Sequence, residues 1–140
     1  MKISACSLIK GTVREIREGA SNAVIVICRG DNNPIKADIT VESLDELSLE
    51  EGKDCYAVIK ATNVIFATCK SESISARNQI EGKIVEIKEG AVNGSVTIED
   101  VDGLRICGSV TNEAIADLGL VEGANAVAVF KATDVMVAID

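Results

Sequence analysis

Three short polar segments carry the side chains best suited to chemistry. They are Ser75-Ala76-Arg77-Asn78, Val110-Thr111-Asn112-Glu113 and Phe130-Lys131-Ala132-Thr133. Each is a poor choice for a core or for the middle of a strand. Together they offer hydroxyls, an amide, a guanidinium, an ammonium and the backbone N–H groups of small residues, nearly all of them hydrogen-bond donors. Converged donors suit a small oxyanion, which accepts at every oxygen. No nucleophile has a base beside it, so the pattern speaks for binding over catalysis. Each residue also has a plainer reading. Ser75 and Asn78 can cap a turn, Thr111 and Asn112 can cap a helix, and Lys131 can be a solvated strand-end lysine.

The elements that must position these groups come in two copies. Ile3-Ser4-Ala5, Gly11 and Glu18-Gly19-Ala20-x-Asn22 reappear as Ile74-Ser75-Ala76, Gly82 and Glu89-Gly90-Ala91-x-Asn93, and Lys60-Ala61-Thr62-x-Val64 reappears as Lys131-Ala132-Thr133-x-Val135. The offset is constant at about 71 residues, and roughly 26 of about 65 aligned positions are identical, which marks a duplicated unit. The first unit spans 1–68 and the second 73–140, with Thr68-Cys69-Lys70-Ser71-Glu72-Ser73 as linker. In the second copy, β-rich runs at 79–88, 95–100, 104–110, 124–130 and 135–139 alternate with turn signals at Asn93-Gly94 and Asp102-Gly103. Gly82 inside the first run predicts a bulge or a close backbone approach. Thr111 to Gly119 reads as a short helix with a capping Thr or Asn at its start and a left-handed glycine past its end. The first copy repeats this order, with strands at 9–16, 23–28, 35–39, 55–59 and 64–67 and a helix near 42–47. The fold class is therefore all-β: two tandem OB-like five-stranded barrels, each with one short helix. A unit of this size buries little core alone, so the halves should pack on each other or on other chains.

Composition narrows the function. The chain of 140 residues carries a formal charge of −8, and aromatics make up 2% of it. It lacks the basic face and the stacking platforms of a nucleic-acid binder, so no nucleic-acid partner is expected. It contains no histidine, which removes the commonest general base and metal ligand. The five cysteines (Cys6, Cys28, Cys55, Cys69, Cys107) show no CxxC spacing. They read as reduced thiols of a cytoplasmic protein, without a zinc site. No apolar run approaches a membrane span and no signal peptide is evident, so no membrane partner is expected.

Ser75-Ala76-Arg77-Asn78-Gln79-Ile80-x-Gly82, followed by Glu89-Gly90-Ala91-Val92-Asn93-Gly94, resembles the signature of the Mop family of molybdate-binding proteins. Val110-Thr111-Asn112-Glu113 and Phe130-Lys131-Ala132-Thr133-x-Val135 extend the likeness. It covers the second repeat end to end and the first in diluted form, and two units in one chain resemble the tandem, di-Mop proteins built of TOBE, OB-like units. The resemblance implies a homotrimer of the tandem chain that holds molybdate or tungstate at interfaces between units, with no organic cofactor and no enzymatic activity. It implies intracellular molybdenum storage or homeostasis; the alternative is a molybdate-sensing effector module acting through a protein partner. Carried over by motif, it selects Ser75, Arg77, Asn78, Thr111, Lys131, Ala132 and Thr133, and in the first copy Ser4, Thr40, Lys60, Ala61 and Thr62. It also implies a second type of site at the turns Glu18-Gly19-Ala20 and Glu89-Gly90-Ala91, where backbone N–H groups would have to attract the anion.

The copies differ at the site. Cys6-Ser7 stands where the second copy has Arg77-Asn78, and Val41 where it has Asn112. Arginine brings a fixed charge and a planar fork of donors that cysteine lacks. The expectation is that a site using Ser75 and Arg77, with Lys60 of the first copy, binds more tightly than one using Ser4 and Cys6.

Overall fold

The last strand of each repeat lies in the other repeat's sheet. The computed structural model describes residues 1–140. Its strands are β1 (Ser7–Glu18), β2 (Asn22–Cys28), β3 (Ile35–Thr40), β4 (Asp54–Ile59) and β5 (Ile65–Ala67) in the first repeat, and β6 (Asn78–Glu89), β7 (Asn93–Glu99), β8 (Arg105–Thr111), β9 (Asn125–Phe130) and β10 (Val135–Ala138) in the second. Helices α1 (Val41–Glu46) and α2 (Asn112–Asp117) sit between the third and fourth strands of each. One sheet has the order β10-β4-β1-β2-β3 and the other β5-β9-β6-β7-β8. Both are antiparallel throughout. β10 at one edge of the first sheet also lies against β3 at the other edge, so that sheet curls almost into a barrel.

The two five-stranded, OB-like units expected from the repeats are present. The assignment of strands 64–67 and 135–139 to their own repeats is corrected. After β4 the chain enters the 3-10 turn Ala61–Asn63, closed by the Asn63 N–H donating to the Lys60 carbonyl at 3.0 Å. After β9 it enters its counterpart Ala132–Asp134. These turns carry the chain across to the opposite sheet, where a hairpin would double it back. Local signals cannot separate the outcomes, because a duplicated sequence offers each last strand two nearly equivalent partners.

The long strands β1 and β6 can serve both edges of a curled sheet because each is bulged, between Val13 and Glu15 and between Ile84 and Glu86. Gly82 is not the bulge. It is the close approach: a Cβ there would stand 2.6 Å from the Glu99 carbonyl oxygen. The helices start as expected. Thr40 accepts from the Ser43 N–H and Thr111 from the Ala114 N–H, both at 3.1 Å. Gly119 follows α2 with φ of 65°.

One continuous apolar core joins the repeats, running from Ile9, Ile25 and Ile59 through Val64 and Phe66 to Ile84, Ile98 and Phe130. Phe66, delivered by exchanged β5, packs where a Cβ on Gly108 would stand 2.5 Å from its ring.

The expectation of five reduced thiols is overturned. Cys6 and Cys107 are joined in a disulfide, with Cα atoms 5.9 Å apart and 101 residues between them in sequence. Cys28, Cys55 and Cys69 are free. Spacing rules missed the pair because it links one repeat to the other. Cys107 aligns with Lys36 of the first copy, so no symmetric pattern announces it.

Next to that bond the repeats grip each other by polar contacts. The Asn78 side chain is 1% exposed. Its amide donates to the Lys36 carbonyl and accepts from the Lys36 N–H, both at 2.8 Å. The matching Ser7 hydroxyl accepts from the Cys107 N–H at 3.0 Å. Asn78→Ala would leave a half-buried N–H and carbonyl of β3 without their side-chain partner. We expect a loss of about 2–4 kcal/mol, read as a lower midpoint in urea unfolding at unchanged slope.

Candidate functional site

Strand register brings the serine and lysine motifs together. In the β1–β4 ladder Ser7 pairs with Ile59, and one step further along it Cys6 falls opposite Lys60. In the β6–β9 ladder Asn78 pairs with Phe130, which sets Arg77 opposite Lys131. Two small clefts result. One, of about 300 Å³, is lined by Ser4, Lys60, Ala61 and Thr62, with Met136 of exchanged β10 as its wall. The other, of about 250 Å³, is lined by Ser75, Ala76 and Lys131, with Asn63 and Ile65 from the first repeat. Each cleft thus uses the serine and lysine of one repeat and a wall from the other.

The donors at these clefts are free. Neither Lys60 nor Lys131 makes an ion pair. Both precede a 3-10 turn, whose first N–H groups have no partner within the turn. Lys60, Thr62, Lys131 and Thr133 are exposed and Ala132 is buried. The clefts differ in one charge. Asp134 lines the second, whereas no carboxylate lines the first.

Other predicted residues lie elsewhere. Arg77 lines a larger groove of about 850 Å³ between the repeats, with Lys36, Lys70 and Lys83 and the acids Asp31, Glu81, Glu99 and Asp100. Within the chain Ser75 and Lys60 sit in different clefts, so the combination of Ser75 and Arg77 with Lys60 does not form there. Asn78 is spent on Lys36. Thr40 and Thr111 fill their capping roles at the far end of the sheets: Asn22 pairs with Thr40 and Asn93 with Thr111. The eleven steps of β1 from Ser7 to Glu18 span up to about 36 Å, which separates these threonines from the serine and lysine of their own repeat.

The Glu-Gly-Ala turns lie at that same far end. The Gly19 N–H donates to the Asn22 carbonyl at 2.8 Å and the Gly90 N–H to the Asn93 carbonyl at 3.0 Å. These two donors are already used. Asn112 ties its turn down by donating to the Gly90 carbonyl at 2.8 Å, while its buried Oδ1 has no partner. Glu18, Ala20, Glu89 and Ala91 are exposed.

The cleft residues that sequence reading missed, Met136, Asn63 and Ile65, arrive through the strand exchange. The repeat pattern carries no signal of that exchange. The chain gathers no group of three or more metal-ligating side chains. Burial, with the Asp54 carboxylate second, pushes the Cys55 thiol up, so it is protonated at neutral pH and a poor nucleophile.

The TOBE domain model matches residues 3–66 and 74–137. A solved structure described as the cytoplasmic molybdate-binding protein ModG, with molybdate bound, is similar at a TM-score of 0.94 and 43% identity, covering 100% of both chains. The molybdenum transport protein ModE of Azotobacter vinelandii is 35% identical over 139 residues, 99% of this chain and 52% of its own length. Molybdenum-pterin-binding protein 3 of Clostridium pasteurianum is 45% identical over 65 residues, 46% of this chain and 96% of its own length. The chain spans about half the length of the first curated relatives it matches.

Proposed function

Since the chain belongs to the TOBE domain family and carries the domain twice, we propose that it binds molybdate, or tungstate, reversibly as part of intracellular molybdenum storage and homeostasis. The observation that carries this reading is the pair of related clefts, each joining a serine hydroxyl, an unpaired lysine and the start of a 3-10 turn. An ammonium and several short donors suit a tetrahedral dianion, and charge-assisted bonds are the stronger kind. The lysines matter more in a chain of net charge −8, because attraction must be local. Capture is non-covalent, and selectivity over sulfate follows from cleft size. The protein is a binder and not an enzyme, and it works in the cytoplasm.

Each cleft is incomplete in one chain. Its rim is apolar and open: Ile3 is 47% and Met136 46% exposed at the first, Ile65 55% and Ile74 41% at the second. Grouped exposed apolar side chains beside a polar site mark an interface. A homotrimer would bury these rims. It would also let Thr40 or Thr111 of a neighbouring copy, with the Glu-Gly-Ala turn beside it, approach the serine and lysine. Native mass spectrometry with molybdate, tungstate or sulfate tests this. The expected result is a trimer that takes up the first two anions and not sulfate; a monomer that binds none of them overturns the reading.

Because Asp134 lines the Ser75–Lys131 cleft and no carboxylate lines the other, we propose, against the ranking expected from Arg77, that the Ser4–Lys60 cleft is the tighter. Lys60→Ala should therefore remove the tighter class of sites and Lys131→Ala the weaker, each losing about 10- to 100-fold in affinity by titration calorimetry.

One observation favours a second reading. The ModE relatives are about twice as long as this chain, so the same module also exists joined to other sequence. As a sensor this chain would act through a separate protein. A pull-down that captures one partner only when molybdate is present would favour that reading.

A further inference from the structure

We infer that the Cys6–Cys107 pair is a thiol–disulfide modification site that sets the anion affinity of the Ser4–Lys60 cleft and leaves the Ser75–Lys131 cleft unchanged. The inference rests on the anion-binding reading above.

The two serines are held in place by different means. Ser75 lies in a segment fixed on both sides. Upstream, the Gln79 amide accepts from the Ser71 N–H at 2.8 Å and donates to the Ser71 carbonyl at 2.6 Å. Downstream, Asn78 is locked to Lys36 by its two bonds. The first repeat has neither device. Leu8 replaces Gln79 and cannot clamp a returning chain. Ser7 replaces Asn78 and makes one bond to the Cys107 N–H. Upstream of Ser4 there is an ion pair of 3.7 Å between the Met1 amine and Asp140. The remaining tether is the covalent bond from Cys6, itself a lining residue of the cleft, to Cys107 in β8. Cys107 aligns with Lys36, so the disulfide adds a covalent link one residue from the Ser7–Cys107 bond that matches the Asn78–Lys36 grip.

The bond can form by ordinary exchange. Cys6 is exposed and Cys107 half-buried. The Cys6 thiolate attacks one sulfur of a low-molecular-weight disulfide such as glutathione disulfide and expels one thiolate. The Cys107 thiolate then attacks Cys6 in the mixed disulfide and expels the second. The two protein thiols lose two electrons and two protons, and one small disulfide becomes two thiols. A reducing dithiol reverses the reaction. In the reduced state the Ser4 segment loses its covalent anchor to β8, and ordering it on binding offsets part of the affinity.

The full-length chain would be oxidised with glutathione disulfide, or reduced and desalted anaerobically, and each form titrated with sodium molybdate by calorimetry. Peptide mapping after alkylation reports the cross-link in the same samples. The Cys107→Ser variant, altered outside the cleft, gives the uncrosslinked state without reductant. The expected result is a Cys6–Cys107 peptide in the oxidised protein and one class of sites about tenfold weaker in the reduced protein and in Cys107→Ser, with the other class unchanged. An oxidised protein without that peptide, equal affinities in both redox states, or an equal loss in both classes overturns the inference. Absence of molybdate heat in every form overturns the binding reading itself, and this control with it.

Discussion

Removing Val135–Asp140 will loosen the first repeat before the second, although the cut lies in the second. β10 contributes Val135, Met136, Val137 and Ala138 as partners of Ile59, Val58, Ala57 and Tyr56 in β4. Val135 is 2% exposed and belongs to the shared core, with Val137 and Ile139 packed against it. Without these residues β4 becomes an open edge. The lost burial and ladder bonds are worth on the order of 3–5 kcal/mol. Hydrogen exchange should show protection falling first in β4, in its neighbour β1, and in β3, which β10 touches across the curl of the sheet, while β6, β7 and β8 keep theirs. A fall confined to β6–β9 would mean that each repeat keeps its own last strand. Phe66→Ala is the reciprocal test. It should cost about 3–5 kcal/mol, with the loss appearing first in the second repeat's sheet.

Opening the Cys6–Cys107 bond will lower global stability by about as much. The two cysteines are 101 residues apart, and a cross-link closing a loop of that size stabilises by on the order of 4–5 kcal/mol in the chain-entropy view. For a domain of this length that corresponds to a fall in Tm of roughly 10–20 °C. Calorimetric scans of the oxidised and reduced protein would measure it, with Cys107→Ser expected to melt with the reduced form. Identical melting would show that the unfolded chain gains little freedom when the bond opens.

Much of the architecture is legible in the sequence because it is encoded locally. Alternating Ile and Val mark the strands, Thr40 and Thr111 mark helix starts, and Gly119 marks a helix end, each by a short-range rule. The pairing of Ser4 with Lys60 and of Ser75 with Lys131 follows once β1 pairs with β4 and β6 with β9. The exchange of β5 and β10 is not legible, since the same residues satisfy either sheet. The disulfide is hidden for a related reason: Cys107 has no cysteine counterpart at Lys36. Arg77 fits an anion by charge and spacing, and within one chain it lines the groove between the repeats. Asn78 looked like a donor for a ligand and is a buried bracket for the Lys36 backbone.

The traded strands also say something about ancestry. A lone repeat with this topology has an unpaired β4 edge and a last strand with nowhere to lie, and trading with a second copy satisfies both. The relative of single-repeat length is a chain of the size that could make such a trade between separate molecules. Fusing two copies turns that encounter into an intramolecular one and frees them from being identical. One copy can then hold its serine with Asn78 and Gln79 while the other comes to rely on Cys6, a divergence that a symmetric pair sharing one sequence cannot make.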